Sequence, residues 1–148
     1  MAVYTQGFAH AQDRLWQMEK TRMLASGKLS QIFGSEAEGI DKFALTIGYR
    51  RIAETTLTVF GLSNEHRDLL QAYADGVNDF LEGVGYFHDE ITSFYLPLEF
   101  KMFGIKKIEP WTLVDSLMLL NLMNFHYSYS WSQDLLREAI DLAGLSSE

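Results

Sequence analysis

The stretch "FAHAQDRLWQME", from Phe8 to Glu19, decides the fold of this protein because it combines a helical apolar pattern with many polar residues. Apolar residues recur in it at steps of three and four, which is the spacing of one face of an α-helix. They are Phe8, Ala11, Leu15 and Met18. The pattern predicts a helix from Tyr4 to Ser26, with Gly27 as a left-handed C-terminal cap.

The polar residues of the same stretch are so numerous that not all of them can reach water. We interpret them as a polar seam that holds the helix to other elements through buried, satisfied hydrogen bonds, because an unpaired buried charge is costly. The seam consists of His10, Gln12, Asp13 and Arg14. The alternative is that His10 acts as a base and Asp13 orients it.

A glycine follows each of the next three helical segments. Three short helices are predicted to end at Gly34, Gly48 and Gly61. A longer helix is predicted from Asn64 to about Glu82, with Ser63 as its N-cap. Gly76 lies inside this helix, and an interior glycine costs about 1 kcal/mol relative to alanine, so it predicts the close approach of another backbone.

The second half of the chain predicts a loop and two more helices. Residues 85–100 lack a helical period and contain Pro97, so we expect a loop packed by its own aromatic residues. Thr112 and Asp115 resemble a capping box at the start of a buried helix that includes Leu113 to Phe125. A last helix, "QDLLREAIDLA", ends at Gly144. No strand is predicted, so residues 1–148 are expected to form a single all-α region.

Composition excludes several classes of function. The 148 residues carry a formal net charge of -8, and a nucleic-acid surface needs clustered basic residues. The chain has no cysteine, which excludes disulfides, thiolate zinc sites and cysteine nucleophiles. No signal peptide is visible, and the most apolar run is too short and too polar to span a membrane. We therefore expect neither a nucleic-acid nor a membrane partner.

Six ordered motifs resemble the penicillin acylase (penicillin amidase) family, and together they extend over essentially the whole chain. They are "GFAHAQDRLWQMEKTRMLASGKLSQIFG", "IDKFALTIGYRRIAE", "LLQAYADGVNDFLE", "LPLEFKMFG", "EPWTLVDSLMLLNLM" and "SWSQDLLREAI". The resemblance implies the helical lobe of an α chain, which in the full family enzyme packs on an αββα N-terminal-nucleophile hydrolase core. In that family the HAQDR helix is structural.

The resemblance also implies how the parent enzyme works. A precursor cleaves itself into an α and a β chain, and the Ser freed at the start of the β chain attacks a non-peptide amide, as in penicillins or acyl-homoserine lactones. The nucleophile and the oxyanion hole belong to the β chain, so we expect no catalytic residue in the present chain. The implied partners are the β chain and a small-molecule amide substrate.

Two family roles can be carried over to residues of this sequence. In relatives, the region after the helix that contains W-x-x-x-D contributes to the acyl pocket, and the matching stretch here is "MNFHYSYS". The candidate substrate-binding residues are Met123, Phe125, His126 and Tyr127. Core packing is an equal alternative for them, since methionine and aromatic residues at helical spacing are usually core.

The second role concerns a structural calcium ion. Many relatives have N-W-x-x-E-L-L-R, whose Glu helps to bind calcium with oxygen atoms of the β chain. Asp134 occupies that Glu position in "SWSQDLLR". Calcium takes six to eight oxygen ligands, so Asp134 alone is not a site, and any calcium would be shared with the β chain.

The competing hypothesis is a catalytically inactive helical remnant or an interaction module that keeps the fold without the chemistry. Relatives suggest a periplasmic or secreted location, whereas the sequence itself leaves the compartment open.

Overall fold

The computed structural model describes residues 1–84, 97–105, 107–128 and 130–144, and all regular structure in these residues is helical. The α-helices are α1 (Ala2–Ser26), α2 (Ser30–Phe33), α3 (Glu38–Ile47), α4 (Tyr49–Thr55), α5 (Asn64–Gly83), α6 (Leu98–Met102), α7 (Leu113–Tyr127) and α8 (Trp131–Leu142). A 3₁₀ turn, Gly34–Ala37, precedes α3, and a π turn, Thr56–Phe60, follows α4. The predicted all-α fold is confirmed.

Two glycines let α1 and α5 cross at close range. A Cβ atom on Gly76 would overlap the carbonyl of Tyr4 in α1, and a Cβ atom on Gly7 would overlap the carbonyl of Tyr73 in α5. Both glycines are buried. The close approach predicted from Gly76 is confirmed, and Gly7 is its counterpart on the facing helix.

The core consists of two clusters that share α1 and α7. The first joins α1 and α5 to α6 and to the segment before α7; its buried members include Leu15, Val77, Phe100 and Trp111. The second joins the end of α1 to α3, α4 and α7; its buried members are Ala25, Ala44, Tyr49, Ala53, Leu117 and Met118. Because both clusters contact α1, this helix is the scaffold on which the others are placed.

The helix ends agree with the predicted caps. Gly27 and Gly48 adopt left-handed conformations with φ of 67° and 77°, which side-chain-bearing residues rarely adopt. The Ser63 Oγ accepts a hydrogen bond from the backbone N–H of His66 at 3.2 Å. Thr112 and Asp115 form a complete capping box at the start of α7. These caps depend on local backbone geometry, which explains why local sequence predicted them.

Three predictions need correction, two of secondary structure and one of burial. The expected loop over residues 85–100 ends in a helix, because Pro97 precedes the first turn of α6 and its lack of an N–H costs nothing there; residues 85–96 lie outside the described residues. The last helix begins at Trp131, two residues before the predicted start. The helix α7 is only partly buried, since Leu120 and Met123 are each 51% exposed.

The carboxylate of Asp41 in α3 accepts two hydrogen bonds from the turn that follows α1. Its Oδ1 accepts the N–H of Leu29 and its Oδ2 accepts the N–H of Ser30, both at 2.8 Å. Burial alone raises the pKa of Asp41, but the hydrogen bonds from Ser30 and Leu29 outweigh burial and hold that pKa below its usual value. The ionised carboxylate therefore ties two elements together.

We expect Asp41→Asn to lower the free energy of unfolding by about 1–3 kcal/mol at neutral pH, because an amide offers only one acceptor for the two N–H groups. The pKa of Asp41 is lower in the folded state than its unfolded value of 3.8. The stability that its ionised carboxylate contributes is therefore present above pH 3.8 and is lost as the pH falls through the folded pKa. The difference in the free energy of unfolding between Asp41→Asn and the wild type should thus become smaller in acid. Urea unfolding between neutral pH and pH about 3 measures it. Glu38→Gln, an exposed change in the same helix, is the control, and equal effects of the two changes would contradict the role of Asp41.

Candidate functional site

The C-terminal half of α7 presents three candidate substrate-binding residues on one exposed face. Met123 is 51% exposed and Tyr127 is 69% exposed, and four residues separate them, which places them on the same side of the helix. His126 is also exposed, and its ring meets the ring of Tyr127 edge-on at 5.5 Å. A thioether, an imidazole and a phenol are thus presented together, as a binding surface for an uncharged organic group would require.

Phe125, the fourth candidate, lies on another side of α7. Its ring packs edge-on against Phe43 at 5.7 Å and against the buried Tyr49 at 6.0 Å. The helical period explains the separation, since Phe125 is about 200° from Met123 around the axis. The structure therefore brings three of the four candidates together and gives Phe125 a packing role. Substrate binding by any of them stays a prediction.

A groove of about 260 Å³, here named the α3–α7 groove, opens beside Phe125. Its walls are formed by Ile40, Phe43 and Ala44 of α3 and by Leu122, Phe125 and His126 of α7. Sequence analysis assigned no functional role to α3. Its residues Ile40 and Phe43 are apolar, three positions apart and exposed, which indicates an apolar side of α3 that faces outward. His126 connects this groove to the face that contains Met123 and Tyr127.

The residues of the predicted polar seam on α1 are largely exposed within this chain, and their burial against other elements stays a prediction. Gln12, Asp13 and Arg14 are exposed, and only His10 is half-buried, with its Nδ1 3.0 Å from the hydroxyl of Tyr73. Helical phase explains the exposure of Asp13, which lies on the side of α1 opposite to the buried Leu15, whereas Gln12 and Arg14 lie between these two sides. The backbone also departs from helical geometry at Arg14, with φ of -136° and ψ of 23°.

The charged residue that α1 buries is Arg22, which sequence analysis missed. Its Nη1 donates hydrogen bonds to the carbonyl oxygens of Glu109 and Pro110 at 3.0 and 3.3 Å, and its Nη2 donates to the carboxylate of Glu19. The Asp115 Oδ2 lies 3.8 Å from the same Nη1. A signal was available, because Arg22 follows Leu15 and Met18 at the spacing of the apolar face.

The Arg22 cluster, made of Glu19, Arg22 and Asp115, joins α1 to the start of α7. Burial raises the pKa of Glu19, and the neighbouring Arg22 opposes that rise. The Asp115 Oδ2 accepts the N–H and the hydroxyl of Thr112 at 2.8 and 2.7 Å. The cluster borders a cavity of about 700 Å³ between α1 and the segment that leads to α7. Its hydrogen bonds end on main-chain carbonyls and a capping box, so its role is to position α7.

Asp134 lies in the first turn of α8, where its Oδ1 accepts a hydrogen bond from Arg137 at 3.2 Å. Among the described residues, no three His, Asp or Glu side chains are close enough to hold a metal ion together. The donors present in this part of the chain therefore do not fit calcium by themselves. A calcium-ligand role for Asp134 stays a prediction that requires oxygen atoms from elsewhere.

His66 and His88 belong to neither of the two family roles carried over to this sequence. His66 is exposed, and its Nδ1 lies 2.9 Å from the Oγ of Ser63, within the N-cap of α5. His88 lies outside the described residues. Within the residues that the structure describes, no helix is both long and apolar enough to cross a membrane.

Comparisons with known proteins agree on one family. The sequence profile described as "Penicillin amidase" matches residues 2–147. The penicillin acylase 2 proenzyme of Pseudomonas sp. (strain SE83) is 32% identical over 125 residues, which cover 84% of this chain and 15% of that protein. The acyl-homoserine lactone acylase QuiP of Pseudomonas aeruginosa is 31% identical over 134 residues, which cover 90% of this chain and 14% of that protein.

A solved structure extends this agreement to three dimensions. Penicillin G acylase from Alcaligenes faecalis superposes with a TM-score of 0.69 at 27% identity, covering 97% of this chain and 73% of that chain. This chain spans about a seventh of the length of the two curated relatives described above. The helical architecture, the ordered motifs and these matches together show that the chain belongs to the penicillin amidase family.

Proposed function

We propose that this chain is the helical part of the α subunit of a penicillin acylase-like amidohydrolase. The match of the penicillin amidase profile to residues 2–147 carries the proposal. In the proposed reaction, the N-terminal Ser of a separate β chain attacks a non-peptide amide, the amine leaves, and water releases the carboxylic acid from the acyl-enzyme. The proenzyme name of one relative supports a precursor that is divided into two chains.

The part played by this chain is to bind and orient the acyl side of the substrate. Met123, His126 and Tyr127 are proposed to contact the acyl group, supported by their shared exposed face on α7. Interactions that hold the scissile amide near the nucleophile lower the barrier by removing translational and rotational freedom before the reaction. Asp134 is proposed as one ligand of a structural calcium ion shared with the β chain, with no part in the chemical steps.

The test is to express the whole polypeptide that the gene encodes and to identify its products by mass spectrometry. We expect a fragment that begins with Ser, together with hydrolysis of phenylacetyl amides or acyl-homoserine lactones. The Tyr127→Ala variant should raise KM several-fold with a smaller change in kcat, since removing uniform binding acts on KM. Leu69→Ala, which truncates another exposed apolar residue, on α5, should change neither constant.

The competing function is an inactive remnant or interaction module. It predicts no fragment that begins with Ser and no hydrolysis of either substrate class. A wild-type protein that is correctly folded by circular dichroism and still shows neither product would overturn the enzyme proposal.

A further inference from the structure

Asn78 of α5 binds the segment that leads into α7. Its Oδ1 accepts the N–H of Trp111 at 2.7 Å, and its Nδ2 donates to the carbonyl oxygen of Trp111 at 2.9 Å. One amide side chain thus pairs with both main-chain groups of one residue, which fixes that residue in position and in orientation. Asn78 follows the buried Ala74 by four residues, so it lies on the side of α5 that faces the core.

Residues 109–112, here named the anchor segment, are bound by side chains from three helices. Arg22 of α1 donates to two of its carbonyl oxygens, and Asp115 of α7 accepts one of its N–H groups. Trp111 is 5% exposed, and its Nε1 donates to the Oγ of Ser116 at 2.9 Å. In the part of the chain that the structure describes, the main-chain groups of residues 109–111 bond to side chains and not to other main-chain groups. The place of the anchor segment therefore depends on these side chains.

We infer that Asn78 is a positioning residue, which acts through the anchor segment to orient the exposed face of α7. This role rests on the proposed function, because that face contains the proposed substrate contacts Met123 and Tyr127. Asn78 itself lies on another helix and has no proposed contact with the substrate.

The helix α7 transmits a movement of its start to its far end. It is a single helix over Leu113–Tyr127, with a length of about 22 Å at 1.5 Å per residue. A tilt of about 5° at the anchor segment would displace the last turn by about 2 Å. A rotation about the helix axis would turn Met123 and Tyr127 through the same angle. Because a misplacement of about 1 Å can lower a rate about 100-fold, the orientation of α7 affects the proposed reaction.

Apolar packing holds α7 against its neighbours but defines its orientation less strictly. Leu117 and Met118 of α7 are buried in the second core cluster, and the hydrophobic effect that favours their burial is not directional. A hydrogen bond requires both a distance and an angle. The Asn121 Nδ2 also donates to the carbonyl oxygen of Tyr49, but at 3.4 Å, which is longer than either bond of Asn78. The bonds at the anchor segment therefore define the orientation best.

The test is a double-mutant cycle in the whole polypeptide that the gene encodes, assayed by hydrolysis of a phenylacetyl amide. Asn78→Ala removes both hydrogen bonds without adding bulk, and kcat/KM should fall about tenfold, mainly through a higher KM. Asn78→Gln keeps the amide on a side chain that is one methylene longer, and it should restore part of this loss. When Asn78→Ala is combined with Tyr127→Ala, the loss should be smaller than the product of the two single losses, because the contact to be oriented is already absent.

Asp41→Asn is the matched control for a general loss of stability. The hydrogen bonds of Asp41 go to Leu29 and Ser30 and not to the anchor segment. At a temperature where every variant is folded by circular dichroism, Asp41→Asn should keep the kcat/KM of the wild type. Combined with Tyr127→Ala, it should show only the loss of Tyr127→Ala.

Two results would overturn the positioning role of Asn78. One is a double variant in which the losses of Asn78→Ala and Tyr127→Ala simply multiply, and the other is an equal fall of kcat/KM in Asp41→Asn. A folded wild type that hydrolyses no amide would instead retire the proposed function. The methyl resonance of Met123, in protein labelled with ¹³C-methyl methionine, then decides the orienting role without activity. A shifted or split resonance in Asn78→Ala but not in Asp41→Asn would retain that role, and an unchanged resonance would overturn it.

Discussion

Gly76→Ala should destabilise this protein by about 2–3 kcal/mol, although alanine is the better helix former. The added Cβ atom would overlap the main chain of Tyr4, and a main chain cannot move aside as a flexible side chain can. The helices α1 and α5 would have to separate, which opens the first core cluster around Leu15 and Val77. The gain of about 1 kcal/mol in helix propensity is too small to compensate.

The matched control is Gly83→Ala, the same substitution in the same helix. A Cβ atom on Gly83 has no neighbour within 4 Å among the residues that the structure describes, so we expect stability to stay equal or to rise by up to about 1 kcal/mol. Thermal and urea unfolding of the two variants measure the contrast. If Gly76→Ala proved as stable as Gly83→Ala, the close crossing of α1 and α5 would be wrong.

Arg22→Met should cost about 3–5 kcal/mol of the free energy of unfolding. Methionine fills a similar volume but leaves the carboxylates of Glu19 and Asp115 without their cation and two main-chain carbonyls without a donor. Breaking a buried ion pair by removing one partner carries a cost of this size, because the remaining charges stay buried. Arg22→Lys should restore only part of the loss, since an ammonium lacks the planar fork that reaches several acceptors.

Arg50→Met serves as the control for Arg22→Met. Arg50 pairs with Glu54 on the surface, and an exposed pair contributes at most about 0.5 kcal/mol. Comparable losses in the two variants, measured by urea unfolding, would mean that Arg22 has no special role in the fold.

The loss in Arg22→Met should also depend on pH. Burial raises the folded pKa of Glu19 above its unfolded value of 4.5, so its contribution to stability is present below that value and is lost as pH rises through the folded pKa. Removing Arg22 removes the group that lowers this pKa, so the penalty should be largest at neutral pH and should shrink toward pH about 4. A penalty that is constant over this range would show that the Glu19 carboxylate is not affected by Arg22.

Helix positions could be predicted from sequence because they depend on near neighbours. Ser63, Thr112 and Gly27 each act on backbone groups within a few residues, and each has the predicted capping role. The candidate site was harder to predict. The matching stretch located Met123, His126 and Tyr127 on one turn of α7, but nothing local indicated that Phe125 turns toward α3.

Local sequence did not show which polar residues of α1 this chain buries. A dense polar stretch can lie on either side of a helix, and only the packing of the partner helices determines which side is covered. The structure buries Arg22 and exposes Asp13, although the two have similar polarity and lie on the same helix. The partners of Arg22, Glu109 and Pro110, are 87 and 88 residues away along the chain.

The sequence by itself therefore determined the all-α class, the caps, the close approach at Gly76 and the family of this protein, because each of these depends on local spacing or on ordered motifs. Only the tertiary structure decided which charges are buried, which side of α7 is exposed, and that α3 and α7 enclose a groove. Burial and grooves arise between segments that are distant in sequence, and the free energy of burying a group depends on all the elements that surround it.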